Sequence, residues 1–196
     1  MKVICVSGKA RHGKDTFAEF LKNNLEFAGN RVLILHYADQ LKFICQKYYG
    51  WNGEKDQAGR TLLQMVGTDY ARSRDPEVWV KYVALFLRVF GPRFDYVIIP
   101  DCRFPNEIDW LRGEHDMASV LVERPGFDNG LTPEQKKHPS ETSLDGYDGF
   151  DFFIDNNGTL AELDTVAGTV ADRIMDGDSS KYWFEARKTY ENENTV

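Results

Sequence analysis

Between an apolar run, VICVS, and a helical pattern lie Gly8, Lys9, Ala10, Arg11, His12, Gly13, Lys14, Asp15 and Thr16. A glycine-bounded loop ending in lysine, with a strand before it and a helix after it, wraps phosphate in backbone N–H groups. The helix N-terminus adds partial positive charge and the lysine reaches the terminal phosphate. Strand, spacing, lysine and helix agree here, which favours phosphate binding over a chance turn. The position after Lys14 holds Asp15 where Ser or Thr is usual. Asp15 either ligates a magnesium ion, directly or through water and with the Thr16 hydroxyl beside it, or caps the helix. Arg11 either touches phosphate or is solvated.

A second acidic residue, Asp101, ends the apolar run DYVIIP. Strand ends at the carboxyl edge of a parallel sheet are where ligands of open α/β folds collect, so Asp101 points to metal or substrate contact, with a turn former as the alternative. A phosphoryl group in transfer spreads charge over its equatorial oxygens, and guanidinium groups stabilise it. Arg72, Arg103 and Arg124 each stand in a loop or just past an apolar segment, and two of the three are expected to matter. Asp39, with Lys42 one turn on, stands where a small acceptor could be held, or caps a helix. His138, Ser140 and Glu141 fall in a long polar stretch, where solvation is the default.

Strand and helix patterns alternate from the start, the signature of βαβ units and a parallel sheet covered on both faces. Val3 to Ser7 is the first strand, and RVLILHY (31–37) the second. Between them Phe17, Phe20, Leu21, Leu25 and Ala28 make a helical face that Gly29 ends. Residues 38–74 carry helical rather than strand patterns, with a polar WNGEKDQAGR loop between, and read as an insertion over the sheet. Asp75 and Pro76 predict the start of a helix that runs to Gly91-Pro92. DYVIIP and ASVLVE (118–123) are further strands with a helix between them. The polar stretch 124–150 is too long for an ordinary connection and reads as a lid or as disorder. DFFID reads as the last strand. A capping box of Thr159 and Glu162 then opens a final helix, and the tail from 176 is expected to be mobile at its tip.

With 196 residues, the chain fits one α/β domain that needs no covalent staple. Three cysteines, Cys5, Cys45 and Cys102, are widely spaced and suggest neither a disulfide framework nor a zinc site, so a reducing cytoplasm is the expected home. No run reaches the roughly 18 apolar residues of a membrane span, and the N-terminus does not read as a signal segment. The net charge of -7 disfavours long nucleic acid, while small anions in a basic pocket remain compatible with it.

Several stretches, in order, resemble the phage-type deoxynucleoside monophosphate kinases, a P-loop kinase family: SGKARHGKDT, LLQMVGTDYAR with WVKYVA, DYVIIPDCRFPNE, VERPG, HPSETSL and DFFIDNNGTLAEL. The GKDT form of the loop is typical of that family. The resemblance implies a three-layer α/β P-loop fold with a core of 1–37, 75–123 and 151–175, an acceptor-binding helical insertion of 38–74, a lid of 124–150 and a tail of 176–196. It implies transfer of the ATP γ-phosphate to the 5′-phosphate of a deoxynucleoside monophosphate, with magnesium between the donor phosphates. By matched position, residues Gly8 to Thr16 hold the donor, and Lys14, Asp15, Arg103 and Arg124 serve catalysis. Asp15, Thr16 and Asp101 serve the metal, while Asp39, Lys42, Arg72, Asp101, Arg103 and Glu141 serve the acceptor. The implied partner is the small substrate, with no nucleic acid polymer and no membrane, and a homodimer is suggested. Animal-type phosphomevalonate kinases look similar in the loop and in the strand-end acidic-arginine motif, and are the alternative. A non-enzymatic nucleotide switch would need no acceptor pocket, and a DNA-handling ATPase would call for a basic surface.

Overall fold

Almost every residue of β1 (Lys2–Ser7) is buried, so this strand needs cover on both faces. In the computed structural model, which describes residues 1–178 and 181–185, it lies inside a sheet of six strands. The others are β2 (Val32–Ile34), β3 (Tyr96–Cys102), β4 (Met117–Glu123), β5 (Phe152–Asp155) and β6 (Tyr182–Glu185). The order is β2-β3-β1-β4-β5-β6 and every pair is parallel. The helices are α1 (Lys14–Phe27), α2 (Ala38–Tyr49), α3 (Gln57–Gln64), α4 (Val78–Phe90), α5 (Pro105–Glu114), α6 (Pro133–Lys137), α7 (Pro139–Thr142) and α8 (Leu160–Met175).

Alternation along the strands sorts the core into two layers. Ile4, Val6, Ile98, Val120 and Phe152 pack with Phe17 and Leu21 of α1 and Leu163 and Val170 of α8. Val3, Cys5, Val97 and Ile99 face the other way, against Val80, Val83 and Leu87 of α4 and Ile108 and Leu111 of α5. The fold is therefore a three-layer α/β sandwich, as the alternating patterns predict. Strand β1 lies between β3 and β4. Chain order reverses there, which places the crevice for a ligand above the carboxyl end of β1.

Several local expectations needed adjustment. The second strand keeps only Val32–Ile34 of the RVLILHY run, because His36 and Tyr37 already turn toward α2. Helix α4 begins at Val78: Asp75 caps the preceding turn by accepting the Glu77 N–H at 3.1 Å, and Pro76 sits within that turn. The polar stretch 124–150, read as a lid or as disorder, holds α6 and α7 and sends Phe150 fully into the core. DFFID is followed by one more strand, β6, whose Tyr182 and Phe184 rings stack beside Phe152. Polar residues around β6 hid it from a hydrophobicity pattern. The expectation of a mobile tail tip lies outside the described residues. The three cysteines are free and buried. Among the described residues no helix is long and apolar enough to cross a membrane.

Candidate active site

The loop leaves β1 at Gly8, whose φ is 150° and whose missing Cβ would stand 2.3 Å from the backbone oxygen of Val122. No side chain fits there, so β4 can run close against the loop. Gly13, at φ 91°, precedes α1 and lies against Asn156, whose Nδ2 donates to the His12 carbonyl at 3.0 Å. Arg11 is the one non-glycine residue at positive φ among the described residues (63°), and its guanidinium donates to the Asn129 carbonyl at 2.9 Å. The Nδ1 atom of buried His12 accepts the Arg124 N–H at 3.1 Å. Burial and the neighbouring Lys9 hold the His12 pKa below its ordinary value, in keeping with a neutral ring that accepts at Nδ1.

Lys14 begins α1 and is 8% exposed. Burial, reinforced by the Arg103 guanidinium, pushes its pKa down to about 8. Its Nζ is 3.6 Å from the Asp15 carboxylate, which is mostly exposed. A buried cation this thinly paired is set to gain from an incoming anion. Thr16 follows in the first turn, and it shares with Asp15 a groove toward His36 and Pro100.

On the other side of Lys14 opens a cavity whose lining includes Asp15, Lys42, Arg72, Asp101, Arg103 and Glu141. Asp101 is the next-to-last residue of β3, and its two oxygens accept the N–H groups of Tyr37 and Ala38, each at 2.9 Å. It thereby fixes the start of α2 over the end of the sheet. Asp39 stands just outside the cavity, paired with Lys42 at 3.1 Å and accepting the His36 N–H at 3.3 Å. Arg72 ends a wider, π-type helical segment, Met65–Arg72, that continues α3. Its guanidinium lies over the Phe104 ring at 4.0 Å, binds the Glu107 carboxylate and donates to the Pro76 carbonyl at 3.1 Å.

The 124–150 segment borders the cavity. Glu141, whose side chain is 8% exposed, reaches Arg103 at 3.0 Å and accepts the Ala10 N–H at 2.9 Å. Asp145 meets Lys9 at 2.9 Å. Leu131 lines the cavity, Gln135 donates to the Gln57 carbonyl at 3.3 Å, and His138 meets Asp69 at 3.3 Å. This segment thus rests on α3 and the π-type turn. Arg124 borders a neighbouring cleft with Lys9, His12 and Phe127. Its guanidinium covers the Phe127 ring at 4.2 Å, and its buried Nε has no partner among the described residues.

Of the residues singled out from sequence, Lys14, Asp15, Lys42, Arg72, Asp101, Arg103, Ser140 and Glu141 thus share one cavity, with Asp39 outside it, Thr16 in the groove behind Asp15, His138 on Asp69 and Arg124 in a neighbouring cleft. Sequence reasoning passed over Glu107 and Arg60. Glu107 is 1% exposed; its Oε2 accepts the N–H groups of Arg103 at 2.6 Å and Phe104 at 3.2 Å. Burial, opposed by Arg72, pushes its pKa up to about 7. The signal was present: Phe104, Pro105 and Glu107 stand at the N-cap, N1 and N3 spacing of a capped helix. Arg60, on α3, faces the same cavity, and its place in a polar loop pattern gave no hint of that.

A parallel sheet ordered 2-3-1-4-5-6, with a glycine-lysine loop between β1 and α1 at the point of reversal, defines a P-loop kinase fold. Within that class, a model of the deoxynucleotide monophosphate kinase family matches residues 34–166, and the chain belongs to this family. It is 38% identical over 115 residues to the deoxynucleotide monophosphate kinase of Enterobacteria phage T4, covering 57% of this chain and 44% of that protein. It is 36% identical over 107 residues to the corresponding kinase of Escherichia phage RB69, covering 53% and 41%. A phosphomevalonate kinase of Drosophila melanogaster is 27% identical over 177 residues, 82% of this chain and 90% of that protein. The chain thus spans less than half the length of these phage relatives.

Proposed function

We propose that this protein transfers the γ-phosphate of ATP to the 5′-phosphate of a deoxynucleoside monophosphate. The observation that carries this reading is the cavity next to Lys14, which gathers Arg72, Arg103 and Lys42 beside Leu131, Ser140 and Glu141 of the 124–150 segment. A nucleotide switch has no use for a second anion site. Family membership supports ATP as donor, and the deoxynucleotide acceptor follows the names of the phage relatives.

In this reading the N–H groups from Gly8 to Lys14 bind the donor phosphates, with Lys14 returning to full charge as they arrive. Arg103 and Arg124 face the group in transfer from its two sides, one from the acceptor cavity and one from the donor cleft. Arg72, held flat on Phe104, presents its guanidinium to the acceptor, and Asp39 steadies Lys42 at the rim. Helices α2 and α3 with the π-type turn act as the acceptor-binding insertion (38–74), and 124–150 acts as the lid over a core of 1–37, 75–123 and 151–175, to which β6 adds. Closure excludes water that would otherwise hydrolyse the γ-phosphate.

Asp15, Thr16 and Asp101 would hold magnesium. Oxygen donors from a carboxylate pair and a hydroxyl suit a hard cation, and each Asp101 oxygen keeps a lone pair after accepting one N–H. When bound, the ion neutralises charge on the donor phosphates. In the same proposal the protein acts on small nucleotides in the cytoplasm, with a homodimer suggested by family resemblance.

Phosphomevalonate is the second acceptor to consider, because the relative acting under that name aligns along nearly its whole length. The test is coupled ADP release from Mg-ATP with dGMP, dTMP, dCMP, dAMP, their ribose forms and phosphomevalonate, beside Lys14→Ala. Turnover with deoxynucleotides that disappears in Lys14→Ala supports the proposal. Turnover only with phosphomevalonate moves the acceptor, and turnover indifferent to acceptor removes the kinase reading.

A further inference from the structure

The phosphate loop already holds an anion from its own chain. Glu141 comes from α7, 131 residues away from Ala10, yet its Oε2 accepts the Ala10 N–H at 2.9 Å while its Oε1 meets Arg103 at 3.0 Å. The Glu141 carboxylate also lies within the electrostatic reach of Lys14, His12 and Arg60. Four residues on, Asp145 neutralises Lys9, the loop's other lysine, at 2.9 Å. One short segment thus supplies two carboxylates to the loop, each placed on a group that suits a phosphate oxygen. The segment is anchored: His138 meets Asp69 at 3.3 Å and caps α7 by accepting the Ser140 N–H at 3.2 Å.

Ala10 lies early in the loop, away from the start of α1, and Arg103 belongs to the acceptor cavity. The seat between them is therefore the outer end of the phosphate track, nearest the acceptor. We infer that Glu141 and Asp145 form a built-in anionic plug that occupies the seat of a nucleotide's terminal phosphate and must be expelled before a triphosphate binds fully. The inference rests on the nucleotide-binding reading above and adds a conformational step to it. A diphosphate, filling only the positions near Lys14 and the helix N-terminus, leaves Glu141 in place. A triphosphate competes with it, since two anions cannot share one N–H and one guanidinium. The plug also offsets charge in a pocket lined by Lys14, Arg60, Arg72 and Arg103. It raises the threshold for entry, and it couples arrival of the terminal phosphate to withdrawal of Glu141 and Asp145 from the loop, a local loosening of 138–145 while the rest of 124–150 stays over the phosphates.

A two-state competition of this kind reduces apparent affinity by the fraction of molecules in which the seat is free. A plug seated about ten to one over the open state weakens triphosphate binding about tenfold. The test is calorimetric titration of wild type, Glu141→Gln and Asp145→Asn with ADP and with a non-hydrolysable ATP analogue, after circular dichroism has confirmed folding. The expected result is triphosphate binding about tenfold tighter in Glu141→Gln, with ADP unchanged within about twofold. Equal or weaker triphosphate binding in a folded variant overturns the plug and makes Glu141 a ligand contact. A second measurement needs no variant: amide hydrogen exchange of wild type should rise in residues 138–145 when the ATP analogue is added and stay level with ADP. Increased protection there with the analogue also overturns the inference. If no triphosphate binds to either form, the nucleotide reading itself falls, whereas equal affinities overturn the plug alone.

Discussion

The Glu107 carboxylate binds the Arg72 guanidinium across 35 residues of sequence, and this contact ties the cavity beside Lys14 to the helix that follows the strand end. One oxygen holds Arg72; the other accepts the N–H groups of Arg103 and Phe104. Arg72, Arg103 and the Phe104 ring under Arg72 are thus set by a single buried residue. Burial of a carboxylate at 1% exposure carries a desolvation penalty that this set of partners offsets only in part, which leaves its pKa raised.

Replacing that residue should separate positioning from folding. Glu107→Ala leaves Arg72 buried and unpaired, which costs about 3–5 kcal/mol. Glu107→Gln keeps an acceptor for the two N–H groups and should cost about 1–3 kcal/mol. In steady-state kinetics, Glu107→Gln should raise KM for the acceptor at least tenfold while KM for ATP changes little. An unchanged acceptor KM would separate Arg72 from acceptor binding. Stability should also report the carboxyl directly. Its folded pKa, about 7, lies above its ordinary 4.5. Its contribution to stability is therefore fully present below pH 4.5 and lost as pH rises through 7. Denaturant titrations from pH 4.5 to 7 should show that decline in wild type and a flatter profile in Glu107→Gln.

The loop makes a purely steric prediction. A Cβ at Gly8 meets the Val122 carbonyl at 2.3 Å, and a backbone oxygen cannot swing aside as a flexible side chain can. Gly8→Ala must therefore push β1 and β4 apart or distort the turn, at a cost of about 3 kcal/mol or more. For a chain of this size that lowers Tm by about 6 °C or more. Wild-type Tm in the variant would mean that the loop does not sit against β4 as described.

What could be read from the residues alone depended on how local the cause was. The fold was legible in the two-sided apolar strands Val3 to Ser7 and DYVIIP, and in the helical face Phe17, Leu21 and Leu25, because burial on a regular element leaves a period in the sequence. The glycine-lysine loop was legible because its function needs its neighbours in order. Glu107, Arg60 and β6 were harder. The first two act through partners 35 or more residues away or through a cavity wall assembled from several elements. Strand β6 is short and flanked by polar residues, and its pairing with β5 supplies the order that its own pattern does not. The 124–150 segment looked like loop because its helices are five and four residues long, below the length at which periodicity can be recognised. The positions of Glu141 and Asp145 on the phosphate loop could not be read from spacing at all.

The capping box at the start of α8 provides a control outside the site. Thr159 Oγ1 accepts the Glu162 N–H at 3.3 Å, and the Glu162 carboxylate accepts the Thr159 N–H at 2.6 Å. Thr159→Ala should cost about 1 kcal/mol with both KM values unchanged. A large kinetic effect would show that α8 is coupled to the site through Asn156 and the loop before it.

The last prediction follows from Lys14 being a buried cation at a site for anions. Its pKa is pushed down to about 8 by burial, with Arg103 adding to the effect, below the ordinary 10.5. The sign for stability is that of a depressed cation: the penalty is present while the unfolded chain binds the extra proton, and stability attributable to Lys14 rises as pH rises from about 8 toward 10.5. Nucleotide binding has the opposite dependence. Phosphate oxygens favour the charged amine and restore its proton, so binding at pH 8.5 should take up about three-quarters of a proton, measured as the dependence of calorimetric enthalpy on the ionisation heat of the buffer. Affinity for ADP should fall as pH climbs above about 8, approaching tenfold per pH unit if Lys14 is the sole titrating group. At pH 6.5 the amine is charged in both states and its uptake should vanish. Lys14→Ala should abolish the uptake at pH 8.5 and lower turnover by about a thousandfold, since it removes a charge placed where transfer occurs in a water-poor site. Proton uptake that persists in Lys14→Ala would assign the titration to another group, and its absence in wild type would mean that the Lys14 amine is not depressed in the free protein.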